Sequence, residues 1–174
     1  MKILLVRHGE ARYDEVLQRG YKGQGYDLGK LSDLGIYQAE TVALDPRFED
    51  AQLIISSPYT RALQTAAIIS RQTQIPLVVE NDLHEWMPDL DFSNTPLVSK
   101  AFDDYVYHKG LYTQKRITNW ETYRDLKKRA YEALKPYVGT YDKVIVVCHG
   151  IVMTTFTFFD DIIGNCDIRE VDVL

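Results

Sequence analysis

The sequence has few cysteines, no long apolar run and no excess of positive charge, and each of these absences excludes a class of protein. Two cysteines in 174 residues cannot form a disulfide framework. No apolar run approaches the roughly eighteen residues that a membrane span requires. The net charge of −5 argues against nucleic-acid binding as the main function. The first apolar run is too short for a secretory signal, so we expect a cytoplasmic protein that binds neither membranes nor nucleic acids.

The apolar patterns predict strands that alternate with helices, without internal repeats, linkers or low-complexity segments. We therefore expect one domain over residues 1–174. The predicted strands span residues 3–6, 51–56, 76–80, 143–148 and, as an edge strand, 167–174. The predicted helices span residues 31–44 with Ser32 as N-cap, the segment after Ser57, residues 95 or 96–109, 118–137 with a capping box at Thr118, and 151–159. Residues 11–30 are predicted to form an irregular loop over the end of the first strand.

A cation, an imidazole and a glycine follow the first strand directly. Ligands of an open α/β sheet bind just beyond the carboxyl ends of its strands, so Arg7 and His8 are predicted to lie at the edge of a site. Gly9 would let the backbone turn sharply and approach a ligand closely. The alternative is that Arg7 and His8 merely close a strand with polar residues, and this segment alone does not separate the two interpretations.

Arg61 is a second candidate, near the start of the helix that follows the strand at 51–56. Ser57 is a good N-cap and Pro58 suits the first helical position, which puts Arg61 in or just past the first turn. The helix dipole favours acidic residues there, so a cation is unexpected on structural grounds. An anion bound at this helix N-terminus would explain the arginine, and pairing with a nearby carboxylate is the alternative.

The strand at 143–148 ends in a histidine followed by a glycine, like the first strand. Two arginines and two histidines would then form a pocket for a dense anion such as phosphate. They are Arg7, His8, Arg61 and His149. Positive neighbours should lower the pKa of a histidine there and leave a ring nitrogen free for nucleophilic attack in phosphoryl transfer. The arginines would repel a metal ion, and no further ligand has suitable helical spacing, so no metal site is predicted.

Three segments, in this order along the chain, resemble the motifs of the histidine phosphatase superfamily, the phosphoglycerate mutase-like group. They are residues 6–10, 56–66 and 148–150, which read Val-Arg-His-Gly-Glu, Ser-Ser-Pro-Tyr-Thr-Arg-Ala-Leu-Gln-Thr-Ala and Cys-His-Gly. Residues 31–35 and 38–39 are similar to the family's first helix, and the match covers most of the chain, with the middle third weakest. The resemblance implies a three-layer α/β/α fold with a mostly parallel central sheet.

The resemblance also implies roles for individual residues. His8 would be phosphorylated during turnover, and His149 would belong to the catalytic set. The residues expected to bind the phosphoryl group are Arg7, Gly9, Arg61 and His149. Glu85 matches the family's proton donor, and His84 is the rival for that role. A carboxyl group that donates a proton near neutral pH needs a raised pKa, to which the neighbouring Trp86 could contribute an apolar wall. No metal or organic cofactor is implied.

Two departures from the family pattern favour a phosphatase over a mutase. Asp14 stands where the family often has Asn, and a carboxylate near a phosphate site must turn away or pair with Arg12 or with a basic substrate group. The segment after Glu85 is short and lacks the basic, proline-containing insert expected of a phosphoglycerate mutase. Lys115 and Arg116 are its only basic pair.

We therefore predict a metal-independent phosphomonoester phosphatase that forms a phosphohistidine on His8 and acts on a small phosphorylated substrate. Three alternatives stay open: a phosphoglycerate-type mutase, a phosphatase for phosphohistidine in proteins, and a domain that binds phosphorylated ligands without turnover. A domain that only binds phosphorylated ligands would not need both a nucleophile and a proton donor. The substrate would be selected by the loops at 11–30 and 86–118, whose chemistry the sequence does not reveal, and the oligomeric state is equally open.

Overall fold

A five-stranded sheet lies at the centre of the computed structural model, which describes residues 1–93 and 95–172. The strands are β1 (Lys2–Arg7), β2 (Leu53–Ser56), β3 (Leu77–Val79), β4 (Lys143–Cys148) and β5 (Ile168–Asp172). Their order across the sheet is β3-β2-β4-β1-β5. The edge strand β5 runs antiparallel to β1, and the other pairings are parallel. The prediction of an α/β fold with a mostly parallel sheet is therefore confirmed.

Helices connect the strands and cover the sheet. The α-helices are α1 (Asp14–Gln18), α2 (Asp33–Val42), α3 (Thr60–Thr73), α4 (Ala101–Tyr107), α5 (Tyr123–Leu134) and α6 (Gly150–Thr154). Short 3₁₀ helices span Gly23–Leu28, Pro46–Phe48, Asn81–Leu83, Pro96–Lys100 and Lys135–Tyr137. No helix in the described part of the chain has the length and apolarity to span a bilayer.

Alternate residues of the central strands pack against opposite helical layers, because successive side chains of a strand point to opposite faces. The face toward α2 and α3 carries Leu4, Val6, Ile54, Ile145 and Val147. The face toward α4, α5 and α6 carries Ile3, Leu5, Ile55, Val144 and Val146. All of these side chains are fully buried, which explains why the strands read as unbroken apolar runs. The three-layer arrangement is confirmed.

The parallel strands bring three chain segments to one edge of the sheet. β1 and β4 pair in register, with Arg7 opposite Cys148. β2 lies on the other side of β4, with Ser56 opposite Val147. The residues that follow the three strands therefore leave the sheet side by side. They are His8, Ser57 and His149.

Several local predictions are confirmed. Ser32 caps α2, with its hydroxyl oxygen accepting from the Gly35 amide at 3.0 Å. Cys148 is a buried core residue. The predicted edge strand is present at Ile168–Asp172, whereas residues 173 and 174 of that prediction lie outside the described residues.

The predicted start of the long helix at Thr118 is wrong. The Thr118 hydroxyl donates to the Pro88 carbonyl, and α5 begins only at Tyr123. Its N-cap is Thr122, whose hydroxyl oxygen accepts from the Asp125 amide at 3.2 Å. The sequence therefore contains two similar Thr-x-x-acid patterns, and the one nearer the amphipathic stripe forms the cap.

Other boundaries also differ from the predictions. α3 begins at Thr60 because the preceding Tyr59 keeps an extended backbone, so Ser57 and Pro58 lead into the helix without capping it. The segment predicted as helix 151–159 is helical only to Thr154. Residues 11–30, predicted as an irregular loop, contain α1 and a 3₁₀ helix. The predicted helix at 95–109 is divided between Pro96–Lys100 and α4, and three of its expected apolar contacts are exposed: Leu97, Phe102 and Val106.

The N-terminus of α2 packs backbone against backbone on the loop after β1. A Cβ on Gly35 would lie 2.1 Å from the Glu10 carbonyl oxygen, and a Cβ on Gly9 would lie 2.5 Å from the Gly35 carbonyl oxygen. Both glycines therefore permit a close approach within the protein. This contact holds the backbone next to His8.

Gly35→Ala should destabilise the protein, although alanine normally favours a helix by about 1 kcal/mol over glycine. The new methyl group would meet backbone that cannot move aside, and overpacking of this kind costs about 1 to 3 kcal/mol. Urea unfolding would measure the loss, with Leu34→Ala at a half-exposed neighbouring position as the control. Equal or greater stability of Gly35→Ala would contradict the close packing.

Candidate active site

The structure brings together the four residues predicted to form the anion pocket. The His8 amide donates to the Cys148 carbonyl at 3.0 Å, and the rings of His8 and His149 lie 5.2 Å apart. Arg61, in the first turn of α3, donates from Nε to His8 Nε2 at 3.2 Å. Arg7 ends β1 beside them. His8 is only 7% exposed, so it does not end the strand as a solvated polar residue.

A single hydrogen bond determines which nitrogen of His8 carries the proton. His8 Nδ1 lies 2.7 Å from the Gly9 carbonyl oxygen. A carbonyl oxygen can only accept, so Nδ1 must hold the hydrogen and Nε2 must hold the lone pair of the neutral ring. Nε2 is the nitrogen that faces Arg61. The Nε2 lone pair of His8 therefore accepts a hydrogen bond from Arg61, the cation best placed to hold an anion.

His8 is neutral because its surroundings disfavour the charged ring. Burial lowers the pKa of His8 to about 3, and the charges of Arg61 and Arg7 act in the same direction, opposed by the hydrogen bond to Gly9. Burial and the charge of Arg61 likewise hold the pKa of His149 well below its usual value. Both imidazoles therefore keep a lone pair at neutral pH.

Two buried polar atoms at this edge of the sheet have no partner. Among the described residues, only three buried side-chain polar atoms lack one: Arg7 Nε, His149 Nδ1 and the Tyr105 hydroxyl oxygen. Arg7 Nη1 donates to the Ile163 carbonyl, and His149 Nε2 lies 2.7 Å from the Ser57 hydroxyl. Each side chain is therefore fixed by one of its nitrogens while another nitrogen has no partner. Unpaired buried polar atoms are costly, which is expected where a ligand supplies the missing bonds.

The contacts of Arg61 agree in part with both explanations that the sequence offered, anion binding and pairing with a nearby carboxylate. It contacts His8, as an anion-binding role requires, and its Nη1 also pairs with Asp27 Oδ1 at 3.2 Å. Burial raises the pKa of Asp27, although Arg61 opposes this effect. Sequence reasoning missed Asp27, which lies on the 3₁₀ helix Gly23–Leu28 within the segment predicted as a loop and carries no periodic signal. An anion entering the pocket would compete with Asp27 for Arg61.

Glu85 has the raised pKa that a proton donor needs. The carboxyl is half-buried, and burial raises its pKa, opposed mainly by a hydrogen bond from the Trp86 amide at 2.8 Å. Its neighbour Trp86 is buried, as expected for an apolar wall. Burial and Arg129 lower the pKa of His84, whose Nδ1 lies 2.8 Å from the Glu85 carbonyl oxygen. His84 is thus a poor acid at neutral pH, which favours Glu85 over its rival.

Arg129 holds the segment that carries Glu85. Its guanidinium makes a bidentate pair with Glu121, at 2.6 and 2.9 Å, and also donates to the carbonyl oxygens of Asp82, His84 and Glu85. Arg129 belongs to the basic run at 127–129, whose charge pattern alone is typical of a solvated helix face, but its contacts lie within the protein. Only Lys127 and Lys128 are exposed there.

The remaining predicted residues have local partners. Asp14 pairs with Arg12, at 2.7 Å between Nε and Oδ1, so its carboxylate is neutralised as the sequence required. The Gly9 amide donates to the Thr65 hydroxyl at 3.1 Å, and its carbonyl accepts from His8. A direct role for Gly9 in phosphate binding stays a prediction.

Comparison with known families gives a match over nearly the whole chain. The model of the family described as "Histidine phosphatase superfamily (branch 1)" matches residues 3–158. Among curated proteins, a probable phosphoglycerate mutase GpmB from Yersinia pestis (strain Pestoides F) is 28% identical over 158 residues. That match covers 88% of this chain and 71% of the relative.

Several solved structures share the fold of this chain although their sequences are less than 25% identical to it. A mycobacterial glucosyl-3-phosphoglycerate phosphatase complexed with VO3 has a TM-score of 0.73 at 21% identity, covering 97% of this chain and 90% of its own. Bacillus stearothermophilus YhfR has a TM-score of 0.73 at 23% identity, with coverage of 99% and 91%. The alpha-ribazole phosphatase from Shigella flexneri has a TM-score of 0.70 at 20% identity, with coverage of 100% and 91%.

The buried His8 should make the protein less stable in acid. Its folded-state pKa, about 3, lies below that of the unfolded chain, so only the unfolded state binds the proton as the pH falls below that unfolded value. Between about pH 7 and about pH 5 this difference removes about 2 kcal/mol of stability. His8→Gln should lose about 2 kcal/mol less than wild type over that interval, measured by urea unfolding. The same acid-induced loss in both proteins would contradict a buried, neutral His8.

Arg129→Met should strongly destabilise the protein, because it leaves Glu121 buried without its partner. Breaking a buried ion pair from one side costs about 3 to 5 kcal/mol. Lys128→Met, at the exposed neighbouring position, should change the free energy of unfolding by less than about 0.5 kcal/mol. If the two variants unfold alike in denaturant, the Glu85 segment is held by contacts other than Arg129.

Proposed function

Because this chain belongs to the histidine phosphatase superfamily, we propose that it is a phosphomonoester phosphatase that acts through a phosphohistidine on His8. The observation that carries the proposal is the His8 ring: Nδ1 is fixed by Gly9, and the Nε2 lone pair faces Arg61. A domain that only binds phosphorylated ligands would have no need of a neutral, oriented nucleophile.

In the first step, His8 Nε2 attacks phosphorus and the bond from phosphorus to the ester oxygen breaks. The phosphoryl oxygens would take the place of Asp27 on Arg61 and complete the bonding of the unpaired Arg7 Nε. When the Ser57 hydroxyl donates to His149 Nε2, the proton of neutral His149 lies on Nδ1, which can donate to the same group. Donors held in place where charge develops stabilise the transition state.

Glu85 completes each half of the reaction by moving a proton. Its raised pKa favours the protonated carboxyl, which gives its proton to the leaving alcohol oxygen. In the second step, the resulting carboxylate takes a proton from water while the water oxygen attacks the phosphohistidine. The bond from Nε2 to phosphorus breaks, inorganic phosphate leaves, and His8 and Glu85 return to their starting states.

A mutase is the second candidate, because a relative is named a probable phosphoglycerate mutase. The phosphohistidine would then pass its phosphoryl group to a sugar acid instead of water. A mutase needs cations for the acid's carboxylate, and Lys115 and Arg116 are the basic pair of the segment after Glu85. Arg116 is occupied, because it donates to the Trp120 carbonyl and the Asn119 side chain. These contacts favour the phosphatase.

The same site supports three further parts of the proposal. The fixed charges of Arg7 and Arg61 can neutralise a phosphoryl group without a metal ion, so we expect metal-independent activity. Both cysteines are free, which supports a cytoplasmic location. The substrate would be a small phosphorylated molecule, with a phosphohistidine in another protein as the alternative.

A covalent phosphoryl group should be trapped on His8 when the protein is mixed with 4-nitrophenyl phosphate and quenched in alkali. Peptide mass spectrometry would locate the label, which should be stable in base and labile in acid. His8→Ala should carry no label, whereas His108→Ala, a control outside the site, should be labelled like wild type. A label that persists in His8→Ala, or one found on a serine, would refute the intermediate.

Glu85→Gln should slow an alkyl phosphate far more than 4-nitrophenyl phosphate. An alkoxide leaves poorly without a proton, and general acid catalysis is worth about 10²- to 10⁴-fold, whereas nitrophenolate leaves unaided. The variant should also lose the alkaline limb of the pH profile of kcat/KM for the alkyl substrate. His84→Ala should cause neither change. Equal slowing of both substrates by Glu85→Gln would assign Glu85 a positioning role instead.

A further inference from the structure

A cavity of about 720 Å³ lies beside Glu85, and nothing above assigns it an occupant. We propose that this cavity binds the leaving group of the substrate and selects phosphomonoesters of bulky, apolar or aromatic alcohols. This inference rests on the proposed phosphatase activity and names the substrate class for it.

The cavity begins where the phosphate site ends. Glu85 and Tyr59 both line it. The Tyr59 ring lies 5.1 Å from the guanidinium carbon of Arg61 and 5.3 Å from the ring of His149. A phosphate held by the arginines and histidines would therefore direct its ester oxygen past Glu85 into this cavity. The proton donor stands at the junction, where the bond breaks.

Most of the cavity wall is apolar or aromatic. Two segments far apart in sequence form it together with Tyr59, one within residues 13–27 and one within residues 85–92 and 95–99. Their aromatic and aliphatic members are Tyr13, Tyr26, Trp86, Met87, Pro88, Phe92 and Val98. The rings of Tyr13 and Tyr26 lie 6.0 Å apart. Apolar surface of this kind recognises hydrophobic groups by removing them from water.

The charged groups of the wall disfavour an acidic leaving group. Apart from Glu85, which acts in its uncharged, protonated form, the cavity is lined by the carboxylates of Asp27 and Asp89 and by one cation, Lys22. Asp89 is occupied within its own loop, where it accepts from the Ser93 amide and hydroxyl. A sugar acid would bring its carboxylate among these groups, whereas an uncharged alcohol would not. The volume is also typical of sites for molecules far larger than a three-carbon acid.

Hydrolysis of a series of alkyl phosphates with similar leaving groups would test the proposal. The series is ethyl, n-butyl and 2-phenylethyl phosphate, with 3-phosphoglycerate as the acidic comparison. We expect kcat/KM to rise on the order of 10- to 100-fold from ethyl to 2-phenylethyl phosphate, since each added apolar group gains contacts in the cavity. 3-Phosphoglycerate should be a poorer substrate than 2-phenylethyl phosphate.

Val98→Asn places a polar group in the wall without adding charge. It should reduce the ratio of kcat/KM for 2-phenylethyl over ethyl phosphate about tenfold. Val106→Asn, at an exposed position of α4 outside the cavity, is the control and should keep the wild-type ratio. Because the ratio compares two substrates on one protein preparation, partial unfolding of a variant does not change it.

The outcomes separate this inference from the function on which it rests. If wild type forms a phosphoenzyme and hydrolyses all the esters equally, or prefers 3-phosphoglycerate, the leaving-group site is refuted and the phosphatase stands. An unchanged ratio in Val98→Asn also refutes it. If wild type neither hydrolyses any ester nor forms a phosphoenzyme, the proposed function fails and the inference falls with it.

Discussion

The proposed chemistry depends on one hydrogen bond, from His8 Nδ1 to the Gly9 carbonyl. It fixes the proton on Nδ1 and leaves the Nε2 lone pair toward Arg61. The bond persists only if the backbone at Gly9 stays in place. Backbone packing against Gly35 and the hydrogen bond from the Gly9 amide to Thr65 both hold it there. The proposed nucleophile is thus oriented by contacts that would never touch the substrate.

Burial and neighbouring charges lower the pKa of His8, whereas burial raises the pKa of Glu85. The same edge of the sheet that keeps His8 neutral surrounds it with arginines, which an entering phosphoryl group would neutralise. Glu85 lies on a separate segment, bound by Arg129, where burial favours its protonated form. A nucleophile with a lowered pKa and an acid with a raised one can both function near neutral pH.

The residues that the sequence predicted to lie together, and that the structure does bring together, have local signals. Arg7 and His149 lie at the ends of apolar runs that predict buried strands, and Arg61 stood out as a cation in a helix's first turn. Asp27 and Arg129 were missed because their partners are distant in sequence: 34 residues separate Asp27 from Arg61, and 44 separate Arg129 from Glu85. Arg129 also lies in a run of charges that resembles a solvated face. The start of α5 was misplaced because two similar capping patterns lie four residues apart.

The most direct test of this account is the protonation state of His8 in the free protein, measured by long-range ¹H–¹⁵N correlation in a sample with ¹⁵N-labelled histidine. The chain has four histidines, so His8→Gln would assign the signal. The account predicts a neutral ring with its proton on Nδ1, unchanged from about pH 7 to about pH 5, since the pKa of His8 is lowered to about 3. An imidazolium at about pH 5, or a neutral ring protonated on Nε2, would contradict it.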